Sequence, residues 1–236
     1  TQPEVIGEIH RSYLEAGSDI IETNTFNSTS IAMADYDMQP QVREINLSAA
    51  RIARRAADEF TAKTPHKPRF VAGSVGPTNK TTSMSPDVEN PMYRAVSFDE
   101  MKLSYREQIQ ALVDGGVDLL LIETIFDTLN AKAAIFAAEE VIKETGKNVP
   151  IILSVTITDK AGRTLSGQTL EAFLTSVRHA NPLVIGLNCS FGASDMKPYM
   201  KELKKISSFY TSAYPNAGLP NQLGEYDETP QKMASQ

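Results

Sequence analysis

Thiols are almost absent from this sequence: a single cysteine, Cys189, stands among 236 residues. One thiol excludes a disulfide framework and fits a reducing compartment. Nor can it build a structural zinc site alone, which takes about four ligands, although it can be one corner of a split site. Histidine is nearly as scarce. His10, His66 and His179 all fall on helices or linkers away from the face expected to carry chemistry. Neither a Cys–His nucleophilic pair nor a histidine-rich catalytic zinc is therefore supported. No apolar run approaches the roughly 18 residues that cross a membrane. Positive charge is thin too: the net charge is −6, and no basic cluster exceeds the short stretch of Arg51, Arg54 and Arg55 among alanines. That stretch reads as a solvated helix face, which argues against a nucleic-acid surface. The amino terminus, Thr1-Gln2-Pro3-Glu4, carries no initiator methionine and no signal-peptide pattern. It reads as a helix start, with Thr1 as N-cap and Pro3 in the first turn. The chain is expected to be a piece that begins in mid-fold.

What is present is alternation of two periodicities. Val5, Ile6, Ile9, Tyr13 and Leu14 have helical spacing up to Gly17, and Asp19 to Thr23 reads as a short strand. A long helix lies within Ile31 to Phe60, clearest from Val42. The further expected strands are Arg69 to Gly76, Leu119 to Thr124, Pro150 to Thr156, Leu183 to Asn188 and, more weakly, Tyr210 to Tyr214. Helices are expected at Phe98 to Asp114, Leu129 to Glu144, Thr169 to His179 and Asp195 to Ser207. A polar loop from Pro77 to Ser97 is of a length at which loops become functional. Six near-continuous apolar strands separated by helices predict a parallel sheet covered by helices. Gly17-Ser18-Asp19 leading to Glu22-Thr23 is echoed by Gly116-Val117-Asp118 leading to Glu123-Thr124. The spacings differ by two, so both glutamates keep the same strand face. Such repeated βα units favour an incomplete (β/α)₈ TIM-type barrel, with six of its eight strands visible, over a doubly wound sheet.

In barrels the carboxyl ends of the strands carry the site. They deliver Glu22, Thr23 and Asn24; Ser74 and Thr78; Glu123, Thr124 and Asp127; Ser154, Thr156 and Thr158; Asn188, Cys189 and Ser190; and Tyr214 and Asn216. Two carboxylates, one thiol and many neutral hydrogen-bonding groups suit a zwitterionic amino acid, with a glutamate for its ammonium. The plainer reading pairs Glu22 and Glu123 with a nearby Lys or Arg and buries Cys189 as a small hydrophobe. Gly73 to Thr78 lacks the Gly-Lys-Ser/Thr ending of a phosphate loop and reads as a strand-end turn. Arg163, in the loop Gly162 to Gln168, either anchors an anion or braces its own loop.

Several strings occur in the order of one family: Glu22-Thr23-Asn24-Thr25-Phe26-Asn27-Ser28, Gly76-Pro77-Thr78-Asn79, Phe126 to Lys132, Gly162 to Gln168, Gly186-Leu187-Asn188-Cys189 and Pro215 to Asn221. Over essentially its whole length the chain resembles the homocysteine-binding domain of cobalamin-dependent methionine synthases. Betaine- and S-methylmethionine-dependent homocysteine methyltransferases share that domain. The loops Phe126 to Asn130 and Gly224 to Asp227 look more like the cobalamin enzyme. The resemblance implies one partial barrel domain over 1–236, its first and last strands missing. It implies a zinc ion held by three cysteine thiolates, Cys189 being one and the other two absent here. It makes Glu123 the partner of the homocysteine ammonium, puts Thr23 near the carboxylate with Asn24 beside it, and offers Asn216 as a metal ligand when substrate is absent. The parent protein is then a cytoplasmic methyltransferase of methionine biosynthesis, and this piece alone is inactive. Its partners are homocysteine and the cobalamin- and methyltetrahydrofolate-binding modules of the same parent chain. Against this stand a zinc-free barrel enzyme, with Glu123 as acid or base, and a binding module without catalysis.

Overall fold

The structure, a computed structural model, describes residues 2–218, 220, 223–224, 226 and 228–236. Six strands form one parallel sheet in the order β1-β2-β3-β4-β5-β6. They are β1 (Ile20–Glu22), β2 (Phe70–Val75), β3 (Leu119–Ile125), β4 (Ile151–Val155), β5 (Val184–Gly192) and β6 (Tyr210–Asn216). Each strand pairs in parallel with the next in sequence. That order, with no reversal, is the order of a barrel and not of a doubly wound sheet. The sheet curls into part of an incomplete TIM-type barrel, as the alternation predicted. Eight α-helices accompany it among the described residues: α1 (Pro3–Glu15), α2 (Ser30–Met33), α3 (Val42–Lys63), α4 (Phe98–Asp114), α5 (Thr128–Thr145), α6 (Leu170–Val177), α7 (Ala193–Ile206) and α8 (Pro230–Ser235).

The helix ends follow local chemistry. Ser97 and Glu100 form a reciprocal capping box at the start of α4. The Asp127 carboxylate accepts from the N–H groups of Leu129 and Asn130, and Gly146 stops α5 at φ 65°. For α1 the cap position falls on Gln2, with no side-chain cap bond. The expected cap Thr1 lies outside the described residues, as do Leu219, Asn221, Glu225 and Asp227 of the tail motifs.

The two faces of the sheet differ. On the outer face Val71, Val75, Leu120, Ile122, Leu153, Val155 and Ile185 are each 3 % exposed or less. They pack with the small residues of α3 and α5 and the aliphatic stripe of α4 in one core. The inner face carries only a minor apolar cluster, Ala72, Leu119 and Leu121 against Ile152. Above that cluster, toward the carboxyl ends, the inner positions turn polar.

Candidate functional site

Glu22 and Glu123, on β1 and β3, line a cavity of about 540 Å³ on the inner face, together with Thr23, Asn24, Ser154, Asn188 and Tyr214. The repeated Glu-Thr spacing thus placed both carboxylates on one face, as expected. Neither takes part in an ion pair among the described residues. The Ser74 hydroxyl donates to Glu123 Oε1 at 2.5 Å. Burial still raises the Glu123 carboxyl above its ordinary value, with the Ser74 bond opposing. The Glu22 carboxylate makes no hydrogen bond among the described residues. Burial first, and the charge of Glu123 second, push it up to about 7. The charge of Glu22, then burial, in turn pushes the Tyr214 phenol up to about 12.

A raised carboxyl value has a definite sign for stability. Ionising Glu22 costs more in the folded chain than in the unfolded one. Its contribution is therefore fully present below the unfolded value of about 4.5 and is lost as pH climbs through about 7. The loss is expected to be about 3 kcal/mol at most. Urea midpoints measured from pH 4.5 to 8 should fall more steeply in the native protein than in Glu22→Gln. Parallel profiles would show that the Glu22 carboxylate is already well solvated.

Two breaks in the strands shape the rim. In β3, Thr124 sits at φ 54°, and the register with β4 shifts between Ile122 and Ile125. In β5, Cys189 and Ser190 sit at φ 60° and 61°, and the register with β6 shifts between Asn188 and Gly192. A β-branched residue in the left-handed region is an outlier, and such strain concentrates at functional sites. The Asn188 side chain ties the two breaks together. Its Oδ1 accepts from the Thr124 N–H at 2.9 Å and the Ser154 hydroxyl at 2.7 Å. Its Nδ2 donates to Thr124 Oγ1 at 2.7 Å and to Cys189 Sγ at 3.2 Å. The Thr124 hydroxyl lies 3.8 Å from the same sulfur. The Asn188 amide thus directs a donor at the half-buried sulfur.

The loop after β1 is braced from behind. Thr25 Oγ1 donates to the Ser74 carbonyl at 2.7 Å, and the Ser74 N–H donates to Thr23 Oγ1 at 3.0 Å. Thr23 and Thr25 hydroxyls are 2.7 Å apart. With the Thr25 proton already directed to Ser74, the Thr23 proton is directed to Thr25, inside the fold. Gly76 allows the close approach: a Cβ there would stand 2.6 Å from the Phe26 carbonyl. Asn24 is exposed at the cavity wall and makes no hydrogen bond among the described residues. Asn216 pairs through its backbone with Gly192 at the end of β6, outside the residues that line the cavity.

His10 corrects one expectation. Far from lying away from the site, it is 5 % exposed on α1 and lines the cavity with Tyr13, its Nε2 without a partner among the described residues. Helical periodicity showed that α1 buries one face but not that this face meets the inner side of the sheet. His66 and His179 are exposed and stand outside the residues that line the cavity. Arg163 braces its own loop, donating to the Gly167 carbonyl at 2.9 Å. Gln108, a supporting residue that sequence reading passed over, is fully buried on α4 and donates to the Thr25 carbonyl at 2.7 Å. Its signal was a polar residue inside the apolar stripe Met101, Tyr105, Ile109, Leu112.

No group of three His, Cys, Asp or Glu side chains among the described residues is placed to hold an ion. With one cysteine in the sequence, the residues present fit one corner of a thiolate zinc site and not a whole one. No helix of the described residues is long and apolar enough to cross a membrane.

A family model described as homocysteine S-methyltransferase matches residues 1–236. Among solved structures, the homocysteine methyltransferase MmuM from Escherichia coli in its metallated form aligns with a TM-score of 0.74 at 24% identity, over 99% of this chain and 77% of that one. Its oxidized form aligns at 0.75 with the same identity and coverage. Its apo form gives 0.69 at 22% identity, again over 99% and 77%. At these identities the likeness is one of fold.

Proposed function

The chain belongs to the homocysteine S-methyltransferase family, and from that membership we propose that it is the homocysteine-binding, thiol-activating barrel domain of a methionine synthase. One observation supports this most: Asn188 fixes Cys189 Sγ and the backbone next to Glu123 in a single unit. A thiol ligand and an ammonium acceptor held at constant separation are what an amino acid with a sulfur-bearing side chain requires. Glu123 accepts the ammonium. Thr23 holds the loop that presents the free amide of Asn24 to the carboxylate. Thr124 and Asn188 orient Cys189 as one metal ligand, and Asn216 stands by as a ligand in the absence of substrate. The remaining thiolates of the set come from outside these 236 residues. Zinc, when bound, supplies deprotonation of a coordinated thiol near neutral pH, where a free thiol of pKa about 8.5 is mostly protonated.

The methyl group, in this reading, comes from methylcobalamin recharged by methyltetrahydrofolate, both carried by modules of the same protein. The loop Phe126 to Asn130 supports that donor over betaine or S-methylmethionine. Zinc content and homocysteine binding of the full-length protein, with and without Cys189→Ser, test the reading. One zinc per chain, lost on substitution, with proton release on homocysteine binding, is expected. Zinc indifferent to Cys189 would return the thiol to a packing role.

A further inference from the structure

Ser74 stands at the centre of a ladder that runs from the outer helices to the cavity. Its side chain is 2 % exposed, and its hydroxyl is the one group that hydrogen-bonds the Glu123 carboxylate among the described residues. Both of its backbone polar groups are held by side chains of other elements: the N–H by Thr23 Oγ1, the carbonyl by Thr25 Oγ1 at 2.7 Å. Gln108 Nε2, reaching in from α4, stands 2.7 Å from the Thr25 carbonyl and 3.5 Å from that of Ser74. Three residues thus fix the position of one hydroxyl.

A serine hydroxyl has one proton, and a carboxylate accepts. The 2.5 Å separation is that of a charge-assisted O–H···O⁻ bond. Such a bond favours the ionised carboxylate, while burial disfavours it. We infer that Ser74 is a positioning residue that holds Glu123 ionised and aimed into the cavity, ready for a substrate ammonium; the last step rests on the functional reading above. None of the titratable groups around Glu123 is a lysine or an arginine. Glu22 from β1, Tyr214 from β6 and His10 and Tyr13 from α1 share the main cavity. Tyr105 from α4 and Asp127 ahead of α5 share a second void of about 10 Å³ with it, and Cys189 stands beyond Thr124. No cation among these offsets the loss of the Ser74 bond.

The test reads Glu123 directly, by the carboxyl carbon shift of ¹³C-labelled glutamate, with the signal assigned through Glu123→Gln. In Ser74→Ala the titration midpoint is expected to rise by about one pH unit, a tenfold change in the protonation constant. Ser74→Thr, which keeps the hydroxyl, should return it toward the native value. Thr25→Val removes the brace on the Ser74 carbonyl but leaves Ser74, and should give a smaller shift in the same direction; it carries the test if Ser74→Ala does not fold. An unchanged midpoint in the folded variants overturns the inference. Homocysteine titrations of the same proteins separate the two claims: weaker binding of Ser74→Ala at pH 6, converging with the native protein as pH rises, supports both. A shifted midpoint with unaltered homocysteine affinity at every pH keeps the role of Ser74 and overturns the ammonium reading.

Discussion

Asn188→Ala is expected to cost about 2–4 kcal/mol of folding stability, the net of opposing effects at one buried amide. The side chain is 2 % exposed and uses two acceptor and two donor directions. Truncation leaves the Thr124 N–H and the Ser154 hydroxyl without a partner, each at roughly 1–3 kcal/mol. It also lets two residues leave left-handed conformations that L-residues adopt at a cost of about 1–2 kcal/mol each, which offsets part of that loss. Such conformations persist only while their surroundings over-determine them, and here the surroundings are the amide itself. Loss of stability should therefore come with a looser rim, visible as faster alkylation of Cys189 under native conditions. Urea unfolding and a thiol-labelling time course check the two halves. A loss under 1 kcal/mol with unchanged labelling would mean that something else holds the strained turns.

The fold was legible because its signals are periodic. Near-continuous apolar strands such as Leu119 to Ile122, separated by helices, leave few arrangements besides a parallel sheet under helices. The match of Glu22 to Glu123 was legible for the same reason: strand parity survives an insertion of two residues. What stayed hidden was not periodic. Nothing in the string Ile122-Glu123-Thr124-Ile125 indicates that Thr124 turns left-handed and returns Ile125 to the outer core, since threonine is poorly suited to that conformation. β5 likewise runs on to Gly192, past the expected end at Asn188, because Cys189 and Ser190 form a break rather than a terminus. His10 was misplaced because the face of a helix is read from its own pattern, whereas the surface it meets belongs to residues far along the chain.

Glu123→Gln is expected to weaken homocysteine binding by about a hundredfold in the full-length protein while leaving the fold as stable or more so. The two effects have one origin. A carboxylate that is 7 % exposed has given up water, and burial holds its proton affinity above the ordinary value. In the empty protein at pH 8 the charge is a cost, and glutamine removes it while keeping an acceptor for the Ser74 hydroxyl. In the complex the same charge faces an ammonium across a low-dielectric cavity. Truncating one partner of such a pair costs about 2–5 kcal/mol, which spans roughly thirtyfold to several thousandfold. A carboxylate kept for structure would behave the other way, losing stability on neutralisation because its partners lie within the protein. Calorimetric titration of homocysteine and urea unfolding, both at pH 8, distinguish the cases. Affinity within a few-fold of native would remove Glu123 from the ammonium site; a destabilised fold would make it a structural acid whose partner lies in the protein. Weakened binding by a fold no less stable would identify a carboxylate whose partner is the ligand.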